Sequence, residues 1–218
     1  MDWQLMFDNL PLLLEGLERT IAISIAGVVL GAAVAAILVA LQRSGRRWLI
    51  VPVRVYTEVV LGMPNLVLLY IVFYVLPGVG LLIEPLAAGL ITLILYYSPY
   101  FAEVMRGALA AIPAGQIEAG RAVGMSRPAV MWRIILPQAF GLMLPPMTNL
   151  IIGLIKDSSI LSVISVVELA FQTKQVIART YAPFEVYLLV AIIYWVLIST
   201  VAVGLRRAER WVTLYRRA

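Results

Sequence analysis

Five long apolar stretches without a charged residue constrain this chain more than any other feature. They cover residues 21–41, 59–83, 85–102, 134–155 and 186–205. Each is close to the roughly 20 residues that a helix needs to cross the hydrocarbon core of a bilayer, and one charged side chain at the centre of such a helix costs about 2.5–3.5 kcal/mol. Buried helices of a soluble protein would keep a charged face. The 17 basic and 12 acidic residues lie elsewhere, so the sequence predicts an all-α integral membrane protein.

No tandem repeat, low-complexity run or long linker divides the chain, so we expect a single transmembrane domain over residues 1–218. The five expected spans are 18–42, 54–77, 85–109, 131–155 and 184–207. The stretch 156–183 fits none of them, because its apolar part is too short to cross a bilayer. Irregular backbone at membrane depth must be buried in protein or face water. We therefore predict a partly re-entrant helix near the outer side, with an amphipathic interfacial helix as the alternative.

The basic residues set the expected orientation. They concentrate in three regions that five spans would place on one side: Arg43, Arg46, Arg47 and Arg54; Arg106, Arg121, Arg127 and Arg133; Arg206, Arg207, Arg210, Arg216 and Arg217. The opposite side carries mostly acids, including Asp2, Asp8, Glu15 and Glu18. Because Lys and Arg favour cytoplasmic loops, we expect the N-terminus outside and the C-terminus in the cytoplasm.

The composition excludes several kinds of chemistry. The chain has no cysteine and no histidine, which rules out disulfides, thiol catalysis and Cys/His zinc sites. No phosphate-binding G-x-x-x-x-G-K-[ST] motif occurs, and no carboxylate pair lies inside a span. We therefore expect no enzymatic activity, no metal site and no cofactor on this chain. The placement of the charges gives no reason to expect nucleic acid as a partner.

Residues 115–140 form the longest polar run between two apolar segments, and they carry their own helix signals. We predict a short helix over 116–123 that ends at Gly124 in a left-handed cap. Ser126 is placed to cap the next helix, and Pro128 lies in its first turn, where a missing N–H costs little. Two helical pieces would then meet at a fixed angle and offer a docking surface. The alternative is an ordinary cytoplasmic loop.

The first of these pieces has the composition of a contact surface. Ala119, Gly120 and Ala122 give it a face of small residues, against which another protein could approach closely. Glu118 and Arg121 are three residues apart, so they can pair with each other or reach a partner.

The sequence GQIEAGRAVGMSRPAVMWRIILPQAF, residues 115–140, resembles the EAA loop of ABC-importer permeases for polar amino acids, of the histidine, glutamine and opine type. The matching positions are Gly115, Gln116, Glu118, Ala119, Ala122, Gly124, Leu136, Pro137, Gln138 and Ala139. Gly120 departs from the family, which usually has alanine there, and glycine weakens a helix by about 0.5–1 kcal/mol.

Three further motifs extend the resemblance over nearly the whole chain. Residues 100–107, YFAEVMRG, and 156–160, KDSSI, resemble family motifs, and Asn149 matches an asparagine that precedes the second. Residues 61–64, LGMP, resemble the family's R-G-T-P, with Leu61 in place of arginine and Met63 in place of threonine. Each of these motifs alone is weak evidence for the family, whereas their combination is specific for it.

The resemblance implies a type I ABC-importer (MetI-like) permease fold in a bacterial inner membrane. Residues 115–124 would be the coupling helix that docks on the ATPase subunit, through Gly115, Gln116, Glu118, Ala119, Gly120, Ala122 and Gly124. An ATPase dimer would hold ATP and Mg, so this chain would bind neither. A second permease, identical or paralogous, and a periplasmic or lipid-anchored solute-binding protein would complete the complex, surrounded by membrane lipid. Transport would follow alternating access.

Ionisable groups at membrane depth mark the expected substrate path. The resemblance places the path near the same stretches, and the candidates there, ionisable or not, are Glu58, Met63, Pro64, Glu103, Asn149, Asp157, Ser158 and Ser159. Asp157 suits the ammonium of an amino acid, and the two serine hydroxyls suit its carboxylate. The alternative for Asp157 to Ser159 is a helix cap at the membrane surface, and Glu103 with Arg106 fits a structural pair.

Three other functions remain as alternatives. A secondary transporter driven by an ion gradient would show inverted repeats and several intramembrane acids; no repeat is visible, and the acids lie at the ends of spans. A membrane enzyme would need a catalytic constellation that the spans lack. A purely structural subunit would not associate with an ATPase through residues 115–124.

Overall fold

The structure is a computed structural model that describes residues 3–214. This part of the chain contains nine α-helices, joined by turns and by short 3₁₀ and π segments, and no strand. The helices are α1 (Trp3–Gln42), α2 (Arg47–Leu61), α3 (Asn65–Tyr70), α4 (Pro85–Ala110), α5 (Ala114–Ala122), α6 (Arg127–Val130), α7 (Leu136–Asp157), α8 (Leu169–Thr180) and α9 (Pro183–Leu214). The all-α prediction is confirmed. Asp2, Arg216 and Arg217, used above for orientation, lie outside the described residues.

Four helical segments are long and apolar enough to cross a membrane: Gln4–Gln42, Pro85–Ala110, Arg127–Ile164 and Pro183–Val212. The predicted spans 18–42, 85–109, 131–155 and 184–207 lie inside these segments. The first segment has 39 residues, far more than the roughly 20 that a bilayer core requires. Its N-terminal part therefore extends beyond the predicted span, and α1 packs there against α8.

The predicted span 54–77 is not one continuous helix, which corrects that prediction. α2 ends at Leu61 and α3 begins at Asn65, and the two helical pieces Arg47–Leu61 and Asn65–Val79 are bent by 112°. The break falls where Pro64 adopts an extended conformation, with φ −66° and ψ 141°. Proline lacks an N–H and disfavours helical backbone at the residue before it, so the apolar pattern continues while the helix does not.

The fourth span contains a widened turn just before a proline. A π-helical segment, Met131–Ile135, joins α6 to α7, and Pro137 lies in the first turn of α7. A proline inside a continuous helix removes one backbone hydrogen bond and crowds the preceding turn. The wider π turn accommodates this disruption without ending the span.

The stretch 156–183 differs in detail from the predicted re-entrant helix. Its first part, Ser158–Ile164, is a 3₁₀ segment that continues α7. The chain then reverses at Ser165, which has a left-handed φ of 64°. α8 begins only at Leu169, and its buried positions, Leu169, Gln172, Thr173 and Val176, form one face against α1 and α9. A helix is thus present in this stretch, and its single buried face makes it amphipathic, as in the alternative prediction.

The core lies around α4, which packs against α1, α2, α3 and α7. Leu69, Leu93, Phe101, Leu154 and Leu161 are almost completely buried in it. Lipid tails are as apolar as leucine, so close van der Waals packing, rather than removal from water, stabilises this core within a membrane. α4 is consequently the element against which α1, α2, α3 and α7 are positioned.

Candidate functional site

The predicted docking segment 115–124 forms α5 and the turn that follows it. The N–H of Met125 donates to the carbonyl of Gly120 at 3.0 Å, and the N–H of Gly124 donates to the carbonyl of Arg121 at 3.0 Å. These two bonds form a Schellman turn. Gly124 has a φ of +82°, a conformation that glycine adopts without steric cost. The predicted left-handed cap is present.

The next helix begins as its sequence indicates. Ser126 Oγ accepts a hydrogen bond of 3.4 Å from the N–H of Ala129, and Pro128 lies in the first turn of α6. The end of α5 and the start of α6 are therefore both fixed by local hydrogen bonds, with only four residues between the two helices. This geometry supports a rigid helix–turn–helix rather than an ordinary loop.

Gly120 does not belong to the surface that α5 offers to a partner, which corrects the prediction of a small-residue face there. It is buried, whereas Ala119 is exposed. A Cβ at position 120 would lie 2.9 Å from Val130 Cγ2 and 2.9 Å from Ile134 Cδ1. Glycine thus allows α5 to pack directly on the start of the fourth span.

The other predicted docking residues are all exposed: Gly115, Gln116, Glu118, Ala119, Ala122 and Gly124. Gln116 Oε1 accepts a long hydrogen bond of 3.5 Å from Gln138 Nε2, which ties α5 to α7. In the described part of the chain, Glu118 and Arg121 do not form an ion pair with each other or with another residue. Both charges are available to a partner.

Asp157 lies at the end of α7, in contact with two other elements. Its Oδ2 accepts a hydrogen bond of 2.9 Å from the hydroxyl of Tyr97 and one of 3.2 Å from Asn65 Nδ2. Both donors are buried, with 5% and 7% of their surfaces exposed, whereas Asp157 itself is partly exposed. None of the described side chains donates to Oδ1 of Asp157, so this oxygen is free to accept from a ligand.

Tyr97 places this carboxylate near the middle of the bundle. It is twelve residues, about 18 Å, from the start of α4 and thirteen residues, about 20 Å, from its end. Gly153 leaves room for its hydroxyl, since a Cβ there would lie 3.1 Å from Tyr97 Oη. The ring of Tyr97 also contacts Tyr96 and Tyr100, at centroid distances of 5.4 and 6.2 Å. An acid beside an aromatic cluster at mid-depth is an environment that favours a cationic group.

The two predicted serines do not have free donors. The hydroxyl of Ser158, which is fully buried, donates to the carbonyl of Ile155 at 2.8 Å, and that of Ser159 donates to the carbonyl of Lys156 at 2.8 Å. Both hydroxyls therefore cap the end of α7. Neither has a proton left for a substrate carboxylate, which contradicts the role predicted for them.

The remaining predicted path residues near Asp157 shape its surroundings. Pro64 forms the break that places Asn65 at the start of α3, and Met63 is half-buried against the core. Asn149 is exposed on α7, eight residues before Asp157, which corresponds to about 12 Å along the helix. Asn65 and Tyr97 were missed by the sequence analysis, because only the folded chain brings them to Asp157.

Glu58 and Glu103 lie apart from this cluster. Glu58 accepts from Arg54 Nε at 3.0 Å, and Glu103 pairs with Arg106, so each acid is matched within its own helix. Both pairs line a cleft of about 470 Å³ between α2, α4 and the end of α1. Glu103 is six residues beyond Tyr97, about 9 Å along α4. The predicted path residues thus fall at two levels of the bundle.

Comparison with known proteins identifies the architecture around these residues. Residues 27–213 match the family model of the binding-protein-dependent transport system inner membrane component. The chain belongs to this family. Members are the membrane-spanning subunits of ABC importers, in which a separate subunit hydrolyses ATP, so this permease is not itself an enzyme.

Relatives and solved structures cover almost the entire permease. It is 36% identical over 212 residues to the glutamine transport system permease protein GlnP of Escherichia coli, with 96% of each chain covered. It is 35% identical to the octopine transport system permease protein OccM of Rhizobium meliloti, over 87% of this chain and 81% of that one. The crystal structure of an amino acid ABC transporter with histidines matches with a TM-score of 0.90 at 32% identity, over 96% of this chain and 98% of that chain.

A more distant match shows the fold alone. The inward-facing MetNI methionine ABC transporter matches with a TM-score of 0.77 at 23% identity, over 98% of this chain and 100% of that chain. The type I, MetI-like fold implied by the sequence motifs is therefore confirmed. The alternative of an ion-gradient-driven secondary transporter gains no support, since the relatives and structures named here belong to ABC transport systems.

The fully buried acid Glu168 was also missed by the sequence analysis. Glu168 is fully buried and caps α8, where its carboxylate accepts from the N–H groups of Ala170 and Phe171 at 2.9 and 2.8 Å. It also accepts from Thr20 of α1 at 3.3 Å and from Tyr194 of α9 at 3.5 Å. Burial raises the pKa of the Glu168 carboxyl, although the hydrogen bonds oppose this shift. Glu168 thus joins three helices.

Proposed function

We propose that this permease imports a polar amino acid, or an amino-acid derivative such as an opine, across the bacterial inner membrane. Support comes from the relatives named for glutamine and octopine transport, which match at 35–36% identity. A third relative, the L-cystine transport system permease protein TcyB of Bacillus subtilis, is 35% identical over 96% of this chain and 92% of that one. The shared feature of these cargoes is an amino-acid ammonium and carboxylate.

The position of Asp157 is the observation that carries the proposal. Its carboxylate is hydrogen-bonded through Oδ2 to Tyr97, which packs against Tyr96 and Tyr100 near the middle of α4. A carboxylate attracts the substrate ammonium, and tyrosine ring faces add to that attraction. Tyr97 and Asn65 hold the other oxygen, so the acid is already oriented when the substrate arrives. Asp157 would therefore bind the ammonium as the substrate passes the centre of the membrane.

Energy would enter at α5. An ATPase dimer that holds ATP and Mg docks against the exposed residues Gln116, Glu118 and Ala119, and its closure moves α5. Because the caps at Gly124 and Ser126 are rigid, this motion passes to α6 and the fourth span rather than being absorbed in a loop. Asp157 lies at the end of α7, within that span, so the same motion reaches the substrate and produces alternating access.

The complete importer would contain a second permease, identical or paralogous, and a periplasmic or lipid-anchored solute-binding protein. The N-terminus of the permease would face outward and its C-terminus would lie in the cytoplasm. The charge distribution supports this orientation, because Arg121, Arg127 and Arg133 accompany α5 on the proposed cytoplasmic side.

Reconstitution tests the proposal directly. The permease is inserted into vesicles with its ATPase subunit and solute-binding protein, and uptake of radiolabelled glutamine, cystine and octopine is measured. We expect uptake of at least one of them that requires ATP and persists when ionophores collapse every ion gradient. Uptake that runs on a gradient without ATP would overturn the proposal. A non-hydrolysable ATP analogue is the matched control, and it should stop uptake.

A further inference from the structure

A cleft of about 320 Å³ lies between α5 and the start of the fourth span. Its walls are Ile117, Arg121, Arg127, Val130, Met131 and Ile135. Val130 and Ile135 form an apolar floor, with 3% of each residue exposed, whereas both arginines are exposed at the rim. The cleft is therefore apolar inside and positively charged at its mouth.

The walls of this cleft are held rigidly. α5 packs on Val130 and Ile134 through Gly120, where no side chain separates the two helices. The Schellman turn at Gly124 and the cap at Ser126 fix the connection between the walls. A cavity with two capped helices as walls is preformed, so a ligand would not have to order it on binding.

The charges of the segment are unbalanced. Residues 113–135 contain three arginines, Arg121, Arg127 and Arg133, and one acid, Glu118. Within residues 3–214, neither Arg121 nor Arg127 forms an ion pair. Two unpaired guanidinium groups at the mouth of one cleft repel each other, and an incoming carboxylate would relieve that repulsion.

We propose that this cleft receives an acidic side chain, a glutamate or an aspartate, of the ATPase subunit. The inference rests on the proposed docking of the ATPase at α5 and adds a specific charged contact to it. The aliphatic stem of the acid would cover Val130 and Met131, and its carboxylate would lie between Arg121 and Arg127. Arginine binds a carboxylate through two parallel hydrogen bonds, so this contact also fixes the angle at which the partner sits.

The first test measures binding of the ATPase to the detergent-purified permease. We expect the double variant Arg121→Glu/Arg127→Glu to bind the ATPase on the order of tenfold or more weakly than the native permease. The single variants Arg121→Lys and Arg127→Lys should retain most of the native affinity. Arg133→Glu is the matched control, because Arg133 carries the same charge in the same segment but does not line the cleft. Affinity of the native pair should fall with added salt, and that of the double variant should not. Equal binding by native and double-variant protein, or an equal loss in Arg133→Glu, would overturn the proposal.

The second test locates the acid. Since the chain has no cysteine, Arg127→Cys carries the only thiol of the permease, and it is combined with single cysteines at the acidic positions of the ATPase. We expect one acidic position to crosslink, and charge reversal at that position to restore binding to Arg121→Glu with Arg127→Glu. Labelling of Arg127→Cys by a thiol-reactive anionic lipid alone would overturn the proposal and assign the cleft to membrane lipid. If ATP-dependent uptake continues in a variant that shows no such contact, the importer function stands and only this contact fails.

Discussion

The hydroxyl of Tyr97 donates to Asp157 Oδ2 at 2.9 Å, and this bond links the middle of α4 to the end of α7. Asn65 Nδ2, at the start of α3, donates to the same oxygen at 3.2 Å. Three spans therefore meet at one carboxylate oxygen, while the second oxygen has no partner among the described residues. A movement of any of these helices therefore changes the position and orientation of the Asp157 carboxylate.

Asp157→Asn should abolish transport while the complex still assembles. The substitution keeps the shape of the side chain but removes the negative charge that attracts a substrate ammonium. A hydrogen bond to a charged group contributes about 1.5–3 kcal/mol, so we expect uptake in vesicles to fall by at least roughly tenfold. The measurement is the initial rate of ATP-dependent uptake of the identified substrate.

Glu15→Gln is the control for Asp157→Asn. Glu15 also loses its charge in this variant, but its ion pair with Arg19 is half exposed, and such pairs contribute little to stability. Uptake by Glu15→Gln should stay close to native. If Asp157→Asn transports at the native rate, Asp157 does not take part in the path.

Tyr97→Phe should weaken substrate binding without disrupting the fold. The ring keeps its contacts with Tyr96 and Phe101, whose centroids lie 5.4 and 5.9 Å away, and only the bond to Asp157 is lost. The carboxylate is then oriented by Asn65 alone, so we expect the apparent KM for uptake to rise by about tenfold.

A tyrosine outside the cluster provides the comparison for Tyr97→Phe. Tyr56 donates to the carbonyl of Leu95 at 2.6 Å and does not touch Asp157. Tyr56→Phe should lower thermal stability and leave KM unchanged. A similar rise in KM in both variants would mean that Tyr97 acts only through helix packing.

Local signals were sufficient to predict several features of this permease. Five uncharged stretches predict membrane helices, and Gly124, Ser126 and Pro128 predict the caps that the structure shows. These predictions succeed because the interactions involve residues close in sequence. The bend at Pro64 also has a local cause, the proline itself. Hydropathy alone does not indicate this bend, because the apolar stretch 59–83 continues across Pro64.

The hydrogen-bond partners of Asp157 and Glu168 could not be predicted in the same way. Asn65 and Tyr97 lie 92 and 60 residues from Asp157, and Thr20 lies 148 residues from Glu168. Which helices become neighbours is decided by packing over the whole bundle. The serines beside Asp157 show the converse error, since their residue type suits a ligand while their hydroxyl protons are used by the backbone.

Gly120→Ala should impair the coupling of ATP hydrolysis to transport, because its steric cost exceeds its gain in helix propensity. Alanine gains about 0.5–1 kcal/mol of helix propensity over glycine. Its Cβ would lie 2.9 Å from both Val130 and Ile134, and overpacking of this kind costs about 1–3 kcal/mol. We expect α5 to shift away from the fourth span, so that more ATP is hydrolysed per substrate molecule transported in vesicles.

Val130→Ala tests the cause of that loss. It removes the two Val130 methyl groups that the new Cβ would contact and leaves only the contact with Ile134 Cδ1, so the double variant should couple better than Gly120→Ala alone. If Gly120→Ala has native coupling, the two helices have room for a side chain at this position, and the glycine is neutral.

Glu168 should make the stability of the permease depend on pH. Burial raises the pKa of its carboxyl above that of a glutamate in an unfolded chain, so the folded state binds this proton more tightly. The stability contributed by the neutral carboxyl is complete below the unfolded pKa, about 4.3, and is lost as the pH rises through the folded pKa. The Tm of the purified permease should therefore fall as the pH rises through this window, and Glu168→Gln should flatten the fall.

Glu84→Gln separates this effect from a general change in charge, because Glu84 is exposed at the N-cap of α4. The Tm of the Glu84→Gln variant should change with pH in the same way as the Tm of the native permease. Glu168→Gln should also have a lower Tm than native at low pH, since an amide cannot accept all four bonds from Ala170, Phe171, Thr20 and Tyr194. Parallel native and Glu168→Gln profiles would show that folding leaves the pKa of Glu168 unchanged. The hydrogen bonds would then balance burial at this site.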